Sequence, residues 1–211
     1  MHHRPLVFFL LVLTGCHAKF KKHAAEVGQA RVQVVVSGGP EVMLGRADVG
    51  STGIVGAVVN VAQAVNEVEL SRRIGGAVDV ASVAVSLESG IGDVLGGGPP
   101  FAYSNDPATP SLLELELLSY GLYAPYLGAP GSFTFEARAR VYLADGDRIY
   151  SKRMTCTAGV GDPELAAVAL GFVNNTRQVQ AMTDAEINDV FQVVAQGCGN
   201  QFVVKMRKHA G

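Results

Sequence analysis

Sulfur, imidazole and carboxylate are the groups in this chain with chemistry to offer, and they are unevenly placed. Cysteines stand at 16, 156 and 198, and histidines at 2, 3, 17, 23 and 209. All the histidines lie toward the ends of the chain, outside any expected core. That placement argues against Ser-His-Asp and Cys-His nucleophile arrangements and against His-rich metal sites. Glu114, Glu116 and Glu136 could be read as the carboxylate pair of a glycosidase. They alternate with apolar residues and neighbour Arg138 and Arg140, so cross-strand ion pairs explain them better. Asp145 and Asp147 flank Gly146, and a tight turn accounts for both; a calcium site would need further oxygen ligands. Gly50, Gly53 and Gly56 are spaced by three, but no Gly-Lys-Ser/Thr ending follows and the dinucleotide spacing differs. Small residues on one helix face, or a flexible lead into the next helix, are the better accounts. The expectation is no enzyme, with no catalytic residue, no metal ligand and no cofactor.

The amino-terminal segment is more specific. Arg4 precedes an apolar run over residues 6 to 13, and Leu13-Thr14-Gly15-Cys16 closes it. A membrane-spanning helix needs about 20 apolar residues. This run is far shorter and suits the apolar core of a signal peptide, with small residues at the cut. The tetrapeptide resembles the lipobox of bacterial lipoproteins. That resemblance implies cleavage between Gly15 and Cys16, a thioether-linked diacylglyceryl group on the Cys16 sulfur and often an acylated amine. Two or three chains on one residue anchor durably where one does not. In many Gram-negative lipoproteins an Asp after the Cys retains the protein at the inner membrane; here His17 occupies that place. The implied address is the periplasmic face of the outer membrane, or the outer face of the cell membrane in a Gram-positive source.

With Cys16 assigned, Cys156 and Cys198 are left as an even pair in an oxidising compartment, which suggests a disulfide. It would link a strand to a helix and stabilise by about 4 kcal/mol in the chain-entropy model. Two separately buried thiols are the alternative. The net charge of −2 leaves no electrostatic footprint for nucleic acid. Lys19, Lys21 and Lys22 could meet anionic headgroups, or could simply solvate a tether.

The expected organisation is a signal peptide at 1–15, a lipidated Cys with a polar tether at 16–29, and one domain at 30–211. Residues 30 to 37 read as a Val-rich strand, with a Gly38-Gly39-Pro40 turn and a short strand at 41 to 44. Residues 54 to 70 and 74 to 95 have helical periodicity, the second with Val80, Val83, Leu87, Ile91 and Val94 on one face. Gly75-Gly76 would break or kink them. The first could pack on a sheet, on a partner or in a membrane interface. Residues 96 to 111 form a Gly/Pro-rich loop. Strands follow at 112–123, 132–144 and 148–157, making a meander with one buried and one wet face. Residues 164 to 173 read as a short helix. Thr183 to Glu186 form a capping box ahead of a long amphipathic helix. Tyr120, Tyr123, Tyr126, Phe101 and Tyr103 fill the core, pin loops or form a contact surface.

The fold class is therefore α/β in its α+β variant, a mixed or antiparallel sheet with a three-stranded meander and long helices on one face. The pieces at 112–120 and 135–145, with the helix from Asp184, carry a further likeness. Their order resembles α/β domains of bacterial envelope lipoproteins: the curli-secretion lipoprotein, the amino-terminal domain of TolB-type proteins, and auxiliary lipoproteins of lipid transporters. The likeness implies a membrane-anchored accessory or assembly factor with an envelope protein partner. The alternative is a subunit that binds lipid or a small molecule for a transporter.

Overall fold

The computed structural model describes residues 15–44, 54–96, 98–124, 131–157 and 178–211. The signal-peptide core, Gly50 and Gly53, Tyr126 and the helix expected at 164–173 lie outside them. Among the described residues six strands form one mixed sheet: β1 (Gln29–Val36), β2 (Pro40–Leu44), β3 (Ala102–Ser104), β4 (Ser111–Ala124), β5 (Ser132–Tyr142) and β6 (Arg148–Thr157). The order is β3-β1-β4-β5-β6, with β2 also on β4. β1 is parallel to β3 and β4, and β4, β5 and β6 run antiparallel as the meander.

Alternation decides which way the meander faces. In β5, Phe133, Phe135, Ala137, Ala139 and Val141 are fully buried, while the intervening residues are only partly covered. β1 and β2 form one interrupted line along β4. Ser37 and Gly38 both donate N–H groups to the Leu117 carbonyl, at 3.0 and 3.1 Å. The register on β4 slips between Leu117 and Ser119. A Cβ on Gly38 would lie 1.5 Å from the Leu118 oxygen, so only glycine fits the step.

The described helices are α1 (Gly15–Val27), α2 (Ile54–Ala77), α3 (Val80–Leu95), α4 (Gln178–Ala181) and α5 (Asp184–Ala210). α3 and α5 cross over the inner face of the sheet at bare backbone. A Cβ on Gly90 would lie 2.1 Å from the Gln196 oxygen, and one on Gly199 would lie 2.4 Å from the Leu87 oxygen. The stripe of α3 buries Val83, Leu87, Ile91 and Leu95. α5 starts on the capping box: Glu186 N–H donates to Thr183 Oγ1 at 3.2 Å, and Thr183 N–H donates to Glu186 Oε2 at 2.7 Å.

Three expectations change. The break between α2 and α3 falls at Val78 and Asp79 rather than Gly75-Gly76, with the two axes bent by 74°. A helix tolerates glycine at about 1 kcal/mol, whereas an Asp side chain that caps the next helix sets a boundary. Asp79 accepts from the Ala81 N–H at 3.1 Å. The loop at 96–111 contains β3, an edge strand too short to show alternation. The expected polar tether at 16–29 is helix α1 leading into β1, with Phe20, Ala24 and Val27 buried in the core. Among the described residues no single helix is long and apolar enough to cross a membrane.

Candidate functional site

Gly15 and Cys16 open α1. Four residues on, Phe20 is fully buried and its ring lies 4.6 Å from that of Tyr150, centre to centre. Tyr150 is on β6, and its hydroxyl lies 3.2 Å from His209 Nδ1 on the last turn of α5. Burial pushes the Tyr150 hydroxyl well above the usual tyrosine range. Lys19 reaches past the end of β6 to Asp147, 2.7 Å away. Lys21 abuts Gly211, so the end of α5 meets α1 as well. The first helix is thus locked to the sheet edge and to α5 by an aromatic stack. The spacing of Phe20, Ala24 and Val27 carried the signal for that inward face; the lysines between them hid it.

Cys156 and Cys198 are joined by a disulfide with Cα atoms 5.6 Å apart. It ties β6 to α5. Both sulfurs are buried among the aromatic and aliphatic residues between sheet and helix.

The outer face of the sheet gathers the acidic residues and pairs them. Glu114 lies opposite Arg140, and Glu116 opposite Arg138. Arg140 binds both Glu114 and Glu116, the latter at 2.7 Å, and Arg138 binds Glu116 at 3.1 Å. Arg153 donates to both oxygens of Glu136. Ser37 donates its hydroxyl to Glu116 at 2.9 Å; that bond, reinforced by Arg140 and Arg138, holds the carboxyl below its usual range. The Arg153 hydrogen bond does the same for Glu136. A glycosidase needs one carboxyl kept protonated near neutrality. These shifts run the other way, so the cluster is an ion-pair ladder.

Two grooves flank the second half of α2. One, of about 390 Å³, lies between α2 and the start of α5, with Glu69, Arg72 and Gln180 on its wall. Arg73 there donates to Asp184 and to the Met182 carbonyl, which fastens α2 to the turn before α5. The other, of about 800 Å³, is shallow and runs between Pro40, Val42, Val68 and Ser71. Glu67 caps the sheet edge by accepting from the Leu44 N–H at 3.0 Å. Neither groove contains a residue read from the sequence as a candidate for chemistry; Gly76 lines both, and Pro40 and Gly75 line the second, as turn and break residues.

The aromatic residues divide. Phe101 and Tyr120 are buried, with Tyr120 edge-on to Phe191 at 5.5 Å. Tyr103 donates its hydroxyl to Glu88 at 2.8 Å and pins β3 to α3; desolvation, with Glu88 beside it, raises its pKa to about 12. Tyr123 is half exposed and paired across the ladder with Met43, also half exposed. Among the described residues no three His, Cys, Asp or Glu side chains gather as a metal site would require.

No family model matches the chain. No curated protein matches it. Among solved structures it is similar to protein XCC0632 of Xanthomonas campestris, of family DUF330, at 12% identity and TM-score 0.38, covering 60% of this chain and 62% of that one. It is similar to the hypothetical protein CT253 of Chlamydia trachomatis at 10% identity and TM-score 0.33, over 86% and 98% of the two chains. It is also similar to the lipoprotein GNA1162 of Neisseria meningitidis at 16% identity and TM-score 0.24, over 65% and 90%. Likenesses at this level do not extend to function.

Proposed function

We propose that the protein is an acylated envelope lipoprotein whose domain works as a non-enzymatic accessory or assembly factor for another envelope protein, on the periplasmic face of the outer membrane. The observation that carries this reading is Leu13-Thr14-Gly15-Cys16 directly after the apolar run. The buried disulfide fits an oxidising compartment. The outer-face carboxylates are already neutralised by arginines, which leaves them little capacity for acid–base work. The carrier alternative needs an enclosed apolar pocket, whereas the groove beside α4 is walled by Glu69, Arg72 and Arg73, and the one along Pro40, Val42 and Val68 is shallow and open to solvent.

Intact-mass and peptide spectrometry of the membrane-extracted protein tests the anchor. The expected result is a mature amino terminus at Cys16 carrying diacylglyceryl and acyl mass. An unmodified thiol there overturns it. In-cell crosslinking tests the role, with one recurrent envelope neighbour expected; a protein that crosslinks to nothing specific counts against it.

A further inference from the structure

We propose that the end of the domain built from α1, the β5–β6 turn and the last turn of α5 lies directly on an anionic lipid surface and fixes the orientation of the whole domain. This rests on the anchor reading and deepens it.

A lipid-modified residue usually gives a domain only as much freedom as the linker behind it allows. Here there is almost none. Cys16 precedes Phe20 by one helical turn, about 6 Å along the axis, and Phe20 is buried against Tyr150. A headgroup plane at Cys16 is therefore within a few residues of the folded body. The surface next to it is basic. Lys21 and Lys22 are exposed on α1, Arg148 at the start of β6, and Lys205 and Lys208 near the end of α5; Arg207 beside them is exposed too but donates to the Val94 and Pro99 carbonyls. The acidic groups at that end are partly engaged: Asp147 with Lys19, and Glu26 with His23, leaving Asp145 in the turn. Positive charge so gathers at one end of a chain whose net charge is −2. Each basic group near an anionic leaflet adds to binding, and the effect fades within a Debye length. Only a rigidly held cluster turns that attraction into a fixed pose. The opposite end, where Leu44 pairs with Ala124, lies about 40 Å away along β4 and faces the periplasm.

The test uses the acylated protein from membranes, in phosphatidylcholine vesicles with or without phosphatidylglycerol. The acyl group and the disulfide occupy all three native cysteines, so Ala25→Cys on α1 and Met43→Cys on β2 each add a single thiol for a fluorophore. With phosphatidylglycerol present, a headgroup-attached nitroxide lipid should quench the label at 25 several-fold more than the label at 43. That contrast should shrink by about half or more without phosphatidylglycerol, in high salt, or in a Lys21→Glu, Lys22→Glu, Lys208→Glu variant with an unchanged circular dichroism spectrum. Equal quenching at both sites, or a contrast indifferent to phosphatidylglycerol, salt and charge reversal, overturns the proposal. If spectrometry finds Cys16 unmodified, the anchor reading fails separately. Salt-sensitive sedimentation of that protein with phosphatidylglycerol vesicles would then support the basic surface, and its absence would overturn both.

Discussion

The two ends of this domain are built by opposite means. At one, α1, β6 and α5 converge on the stack of Phe20, Tyr150 and His209, sealed by the Lys19–Asp147 pair. At the other, α2 sinks Leu70 and Ile74 into the core, and its outer face is fastened by single polar contacts: Glu67 on the Leu44 N–H and Ser71 on the Pro40 carbonyl of β2, and Arg73 on Asp184 of α5. Val65, Val68 and Met43 are left at least half exposed there. The first end is held by desolvated rings, whereas the exposed flank of the second rests on hydrogen bonds with water at hand. Buried aromatic contacts are costly to remove, whereas exposed polar ones exchange readily with solvent. The contrast teaches that the segment bearing the candidate anchor is structurally part of the core, while the α2–β2 side divides into a buried inner row, Leu70 and Ile74, and an exposed flank at Val65, Val68 and Met43.

Substitutions can break or sharpen that contrast. Removing the disulfide with Cys156→Ala and Cys198→Ala should have the largest effect, about 4 kcal/mol in urea unfolding, because it releases a long loop from the unfolded-state restraint. Phe20→Ala should cost about 3 kcal/mol or more, against under about 0.5 kcal/mol for Val68→Ala at the exposed end. Equal small effects in thermal melts would show that α1 is a tether after all. Tyr103→Phe, which unpins β3 from α3, should cost about 1 kcal/mol.

The smallest effect is in the pH profile. Glu116 and Glu136 have folded pKa values below their unfolded ones. The stability they contribute is complete above the ordinary carboxylate range and drains away as pH falls through their folded values. Glu116→Gln should flatten the acid limb of a stability-versus-pH curve measured from neutrality down to pH of about 3. An unchanged limb would mean that the ladder is not coupled to folding.

The meander, the stripe of α3 and the capping box at Thr183 were legible in the sequence, because each rests on contacts between near neighbours or on a strict period. So were the partners of Glu114 and Glu116, since alternation places Arg138 and Arg140 on the same face. What escaped depends on distant partners. Nothing in residues 17 to 27 says that Phe20 will meet Tyr150, and three lysines there make the segment look solvated. β3 borrows its strand character from β1, and the α2–α3 boundary is set by a cap that Gly75-Gly76 outshone. Glu136 pairs with Arg153 on the neighbouring strand, a partner that only the β5–β6 register could establish.

The outer face of the sheet is electrically quiet. Three glutamates there face three arginines at hydrogen-bonding range, so opposite signs cancel within a few ångströms and little field survives into solution. A broad β-surface carrying charge of one sign would otherwise repel its like and attract its opposite. Self-neutralised in this way, that face offers an approaching molecule little net charge of either sign to grip.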